Sequence, residues 1–227
     1  MATALTLYRT TIGKKAAMAV TGLILVGFVV FHMIGNLKIY LGPQHYNDYA
    51  AGLRTFGGPF LGNSQFLWLA RVVLLVAVAW HIVAAVQLTR LSQTSRPTRY
   101  AQKKVTVSYA SRTMRWGGLI VLLFIIYHIL HFTIGAVGYA AGQYQEGDVY
   151  QNVVRGFSVW YVSIFYIAAM IALGFHLYHG VWSMFQTLGV NTSRTTRALH
   201  MLATVVAGVV VLGNISIPVA VLAGVIR

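Results

Sequence analysis

The sequence predicts an all-helical membrane protein, a bundle of five transmembrane helices, and three observations predict it. Hydrophobic residues make up 58% of the 227 residues and charged residues only 9%, too few charges to solvate a soluble domain of this length. Five apolar runs each approach the about 20 residues that cross roughly 30 Å of hydrocarbon. Lysine or arginine flanks most of their ends. A large apolar soluble bundle is the alternative, and the long uncharged runs count against it.

The spans fall at about 16–40, 66–88, 116–140, 159–188 and 198–226, and together they form one transmembrane domain. Gly13, Gly22, Gly27 and Gly35 recur through or just before the first span, where they allow close approach of a neighbouring helix or a flat group. The second ends just before the basic run that opens at Arg90, and the third opens on Gly117 and Gly118. The fifth contains Pro218, which is expected to kink or loosen its outer end. Between spans one and two, Leu41–Gln65 carries the turn signal Gly57-Gly58-Pro59, and Tyr46–Phe56 is expected to form a short interfacial helix. Gly142–Gly156, between spans three and four, is shorter and more polar. No cleavable signal is expected, since Met1–Ala17 is short of apolar residues.

The net charge of +14 suggests nucleic acid at first sight. The basic residues sit in short segments between apolar runs, however, not along one helix face, which excludes that partner. Arg9, Lys14 and Lys15 precede span one; Arg90, Arg96, Arg99, Lys103, Lys104, Arg112 and Arg115 join spans two and three; Arg194 and Arg197 join four and five. All three acids, Asp48, Glu146 and Asp148, lie on the opposite side. The positive-inside rule then puts the N-terminus in the cytoplasm and the C-terminus outside. The basic loop suits anionic lipid or an acidic soluble partner. With no cysteine, the chain has no disulfide, thiolate metal site or cysteine-held iron–sulfur cluster.

Six histidines lie inside apolar runs: His32, His81, His128, His131, His176 and His179. A lone buried histidine is usually a packing residue, but four consecutive spans carrying one mark function. His32 lies 17 residues beyond Lys15 and His128 lies 13 beyond Arg115, about 25 and 20 Å from the inner face at 1.5 Å per residue. His81 lies nine residues before Arg90, about 14 Å from that face, and His176 about 18 Å above the end of its span. Depth therefore sorts an outer pair, His32 with His128, from an inner pair, His81 with His176. Two stacked pairs suit two six-coordinate haems, each iron taking two trans imidazoles. Zinc wants three or four converging ligands and a proton relay usually recruits acids; none lies in these spans. Relay and packing roles stay open on geometry alone. So does the choice within two pairs: His131 follows His128 by three residues and His179 follows His176 by three, so each pair shares a helix face.

Phe31-His32-Met33-Ile34-Gly35-Asn36-Leu37, Gly42-Pro43 through Asn47-Asp48-Tyr49-Ala50, Trp80-His81, Arg115 with Tyr127-His128, and Phe175-His176 with Gly180-Val181-Trp182-Ser183 follow in a distinctive order and spacing. Over nearly its whole length the chain resembles the cytochrome b membrane anchor of succinate dehydrogenase and fumarate reductase, in its single-chain, five-helix, two-haem form. The resemblance implies one axial ligand in each of the first four spans. It favours His128, after an aromatic residue and well downstream of Arg115, and His176, four residues before the glycine that precedes Val-Trp-Ser. His131 and His179 fall where relatives need not have histidine, which leaves them as second-choice ligands or neighbours of the ligands.

The same resemblance implies two haem b groups, a bacterial cytoplasmic membrane location, and a flavoprotein and an iron–sulfur subunit as partners on the cytoplasmic face. This chain would pass electrons from inner to outer haem and exchange them with menaquinone, within the respiratory chain and the tricarboxylic acid cycle. Dicarboxylate chemistry belongs to the partners. A quinone needs an apolar slot with a hydrogen-bond donor; outer candidates are Tyr40, His45, Asp48, Arg71 and Glu146, and inner candidates are Arg9, Lys14 and His200. The rival readings are the cytochrome b anchor of a hydrogenase, formate dehydrogenase or nitrate reductase, and a haem-free anchor or transporter.

Overall fold

The computed structural model describes residues 8–95 and 109–227, without the side chains of 109–113. Arg96, Arg99, Lys103, Lys104 and the Arg112 side chain, expected in the basic loop, lie outside the described residues. Among the described residues, five helices are long and apolar enough to cross a membrane, at Thr11–Leu41, Gln65–Thr94, Met114–Ile134, Trp160–Thr187 and Thr196–Leu222. The described residues hold no strand.

Helix α1 (Thr11–Leu37) starts where the Thr10 hydroxyl accepts the Gly13 N–H at 3.0 Å, satisfying a donor that the first turn leaves without a helical partner. A 3-10 turn, Lys38–Leu41, and Gly42 at φ 95° then turn the chain into α2 (Pro43–Thr55). Proline in the first turn of α2 forgoes no helical hydrogen bond. This is the short helix expected at Tyr46–Phe56, begun three residues sooner. Helix α3 (Gln65–Thr94) returns across the bundle.

Helix α4 (Tyr109–His128) continues as a wider π-helical segment, Ile129–Ile134. The third span was expected to reach Ala140 and stops at Ile134 instead. Gly135 adopts φ 71° and the Ala136 N–H turns back to the Leu130 carbonyl at 2.9 Å, so the chain leaves the helical path there. The polar loop that follows holds a helix the hydropathy reading did not anticipate, α5 (Val149–Ser158). Asp148 caps it by accepting the Gln151 N–H at 3.2 Å, and Tyr150, Val153 and Phe157 bury one face. Helices α6 (Trp160–Thr187) and α7 (Thr196–Leu222) complete the bundle. Pro218 is buried inside α7, which runs on past it to Leu222.

The two most extensive packings are α6 on α7 and α1 on α3. A Cβ on Gly174 would stand 2.5 Å from Val211 Cγ2, so the α6–α7 approach depends on that glycine. Helix α4 packs on α6, and α1 touches both α6 and α7. Contact is at most marginal between α1 and α4, and between α3 and α6. Helices α2 and α5 pack on each other at the end that carries Asp48, Glu146 and Asp148, called here the acidic end. Arg9, Lys14, Arg90, Arg115, Arg194 and Arg197 mark the opposite, basic end.

Candidate functional site

Across those two seams of marginal contact, four histidines meet in two pairs. His32 on α1 faces His128 on α4 with ring centroids 5.8 Å apart, toward the acidic end. His81 on α3 faces His176 on α6 at 6.4 Å, toward the basic end. Each pair therefore bridges two helices that hardly pack on one another. A metal–imidazole bond is about 2 Å long. With each ring centre roughly 1 Å further out, two imidazoles trans on one iron hold their centroids roughly 6 Å apart. Both pairs meet that spacing. Among the described residues no three of His, Asp and Glu converge on a point, so the donors suit a metal that brings its remaining ligands with it.

The surroundings of the rings sharpen this. Gly22 lies against His81 and Gly118 against His176, where added Cβ atoms would meet the imidazole Cε1 at 3.5 and 3.6 Å. His32 stacks on Phe28 at 5.2 Å, and Phe124 lies 5.7 Å from His128. His176 Nδ1 and His131 Nε2 are both buried with no hydrogen-bond partner. An orphaned buried polar atom costs about 1–3 kcal/mol, so it is the facing ring, not the orphan alone, that sets His176 apart from His131.

His81 and His128 do have partners. Thr21 Oγ1 lies 3.1 Å from His81 Nδ1 and donates to the Ala17 carbonyl at 2.8 Å. Tyr166 on α6 touches two histidines, His131 Nδ1 at 3.0 Å and His128 Nδ1 at 3.4 Å. His131 and His128 thus share a side of the third span. The His131 ring is wholly buried, and Cβ atoms on Gly138 and Gly156 would come within 2.6 and 2.7 Å of its Nε2. It packs beneath the loop at the acidic end and faces no other spanning histidine. His179 is half-buried, one turn beyond His176 on the same helix.

The quinone candidates are not drawn together. Tyr40, His45, Asp48, Arg71 and Glu146 are all exposed; Gln44 donates to Asp48 at 2.9 Å, and Arg71 stacks over Trp68 at 4.9 Å. A cleft of about 150 Å³ beside His32 is lined instead by Asn36, Tyr46, Tyr49 and Leu53 among others. Burial, with Tyr49 nearby, pushes the Tyr46 phenol up to about 12. Burial also raises the Tyr139 phenol in the loop after the third span. At the basic end Arg9 and Lys14 line a groove of about 470 Å³ with Gln87 and Arg90. His200 stacks on Trp182 at 3.6 Å.

Fold and site together define a multi-pass helical membrane protein with paired histidines inside its spans. The family described as succinate dehydrogenase/fumarate reductase transmembrane subunit matches residues 89–213, more than half of the chain. The chain belongs to that family and is a membrane-anchor subunit of such a complex. Membership sets aside the anchors of hydrogenase, formate dehydrogenase and nitrate reductase. No curated protein and no solved structure matches the chain. The matched region includes His128 and His176 but not His32 or His81, whose place beside them rests on the ring geometry.

Proposed function

We propose that this subunit holds two haem b groups in the bacterial cytoplasmic membrane and carries electrons between an iron–sulfur subunit and menaquinone. The observation that carries the reading is the pair of ring separations, 5.8 and 6.4 Å, at two depths on four helices. When bound, haem would supply reversible one-electron transfer. His32 and His128 would hold one group, and His81 and His176 the other. Phe28 would pack against His32 and Phe124 against His128.

The charge distribution favours a basic end that faces the cytoplasm. There the iron–sulfur subunit and its flavoprotein would dock, with Arg9, Lys14 and Arg90 attracting acidic groups and apolar contacts adding affinity. Menaquinone would exchange electrons from the lipid phase. The contacts of Tyr166 with two histidines favour one rival, a haem-free proton relay.

A dithionite-reduced absorption spectrum and a pyridine haemochrome assay of the purified complex separate the two. The expected result is a b-type α-band and two haems per chain. Purified, intact complex without that band would overturn the haem reading and leave the relay.

A further inference from the structure

The two histidine pairs share an asymmetry. In each, a hydroxyl from a different helix contacts Nδ1 of one member: Thr21 for His81 at 3.1 Å, and Tyr166 for His128 at 3.4 Å. No hydrogen bond holds the other members, His32 and His176, among the described residues; His176 Nδ1 is a buried orphan. Thr21 and Tyr166 are themselves buried, each 5% exposed. The arrangement repeats along the chain. Helix α1 carries Thr21 and, 11 residues on, His32; α6 carries Tyr166 and, 10 residues on, His176. Each of these helices gives a ring to one pair and, about three turns away, a hydroxyl to the other.

We propose that Thr21 and Tyr166 are positioning residues that fix the proton of His81 and His128 on Nδ1 and present Nε2 to iron. This rests on the haem reading. For Thr21, the hydroxyl hydrogen goes to the Ala17 carbonyl, its shortest contact at 2.8 Å, so the oxygen can accept from His81 Nδ1–H, beside the Met18 carbonyl, which is within hydrogen-bond reach of the same ring. Such back-bonding to the own helix is common for threonine inside a span; the contact to a ring on another helix is what sets this one apart. The Tyr166 oxygen lies 3.0 Å from His131 Nδ1 and 3.4 Å from His128 Nδ1; in the proposed assignment the phenol donates to His131 and its oxygen accepts from His128 Nδ1–H, which leaves His131 Nε2–H buried without an acceptor. His131 then serves the site at one remove, by orienting the tyrosine that orients the ligand. An acceptor on Nδ1–H fixes the ring and makes the imidazole a stronger donor to the metal, which favours the oxidised iron and lowers its potential.

The test uses the whole complex with Thr21→Val, Thr21→Ser and Tyr166→Phe. Haem per chain, redox titration of the α-band and electron paramagnetic resonance of the oxidised haems are measured. His81→Ala and His128→Ala identify which signal belongs to which pair. Tyr166→Phe should raise the potential of the haem lost in His128→Ala, by up to tenfold in the oxidised-to-reduced ratio or about 59 mV, and shift its resonance. Thr21→Val should do the same to the haem lost in His81→Ala, or release that haem. Thr21→Ser should restore the wild-type signals. Unchanged potentials and resonances in Tyr166→Phe and Thr21→Val overturn the proposal while leaving the haem reading intact. So does equal loss in Thr21→Ser and Thr21→Val, which would make Thr21 a packing residue. Absence of haem from the unsubstituted complex is the separate failure of the haem reading.

Discussion

Asn47 on α2 and Asp148 at the start of α5 are joined by a 3.1 Å hydrogen bond across the acidic end. The same asparagine accepts the Tyr150 N–H at 3.0 Å. One side chain thus holds the residue that caps α5 and satisfies a donor of its first turn. Asn47→Ala is expected to lower stability by about 1–2 kcal/mol, measured by thermal unfolding in detergent, with both ring pairs intact. An unchanged melting temperature would show that α2 and α5 are held by apolar packing alone.

Substitution of the paired histidines should remove haem one group at a time. His32→Ala or His128→Ala is expected to halve the haem content and spare the group at the basic end. His81→Ala or His176→Ala should spare the one at the acidic end. Haemochrome assay and redox titration read both. His179→Ala should keep two haems; loss of one there, with His176→Ala tolerated, would reverse the assignment within that pair.

Gly156→Ala brings a methyl group to within 2.7 Å of His131 Nε2 in a site with no room to yield. Overpacking of this kind costs about 1–3 kcal/mol, so a lower melting temperature is expected. The displacement of His131 should also disturb Tyr166. Wild-type stability in this variant would mean that the His131 ring sits elsewhere.

Tyr46 gives the acidic end a defined response to alkali. Its phenol is raised from the ordinary 10.0 to about 12 by burial and by Tyr49. The folded state therefore keeps a proton that the unfolded chain releases above pH about 10. The contribution is complete below pH about 10 and is lost as pH rises toward 12, by about 1.4 kcal/mol for each step of one in pH. Tyr46→Phe should flatten the decline in stability between those values, while losing the 3.3 Å bond to Asn36. A decline as steep as in the unsubstituted protein would assign it to other groups.

The spans and the pairing of histidines by depth are legible in sequence because hydropathy and helical rise are nearly independent of context. Helix α5 was equally available: Tyr150, Val153 and Phe157 recur at helical spacing just after Asp148. The polar residues before it drew attention to the loop instead. The early end of the third span depends on left-handed glycines, whose composition signal resembles that of glycines packed inside a span. Thr21 and Tyr166 carry no such signal. A hydroxyl inside an apolar helix usually bonds its own backbone, and only the tertiary arrangement reveals a neighbour's imidazole. The scattered quinone candidates show the same limit, since charge and aromaticity locate an end of the bundle without locating a cleft.

Each ring pair draws one member from before residue 96 and one from after residue 108: His32 and His81 come first, His128 and His176 later. Neither site is therefore whole until the later half of the chain is made. When two spans have left the ribosome, two half-sites exist and no whole one. The pair near the acidic end is completed by the third span and the other by the fourth. A group held by both members of a pair would therefore join the early half of the chain to the late half, along seams where the helices themselves scarcely touch.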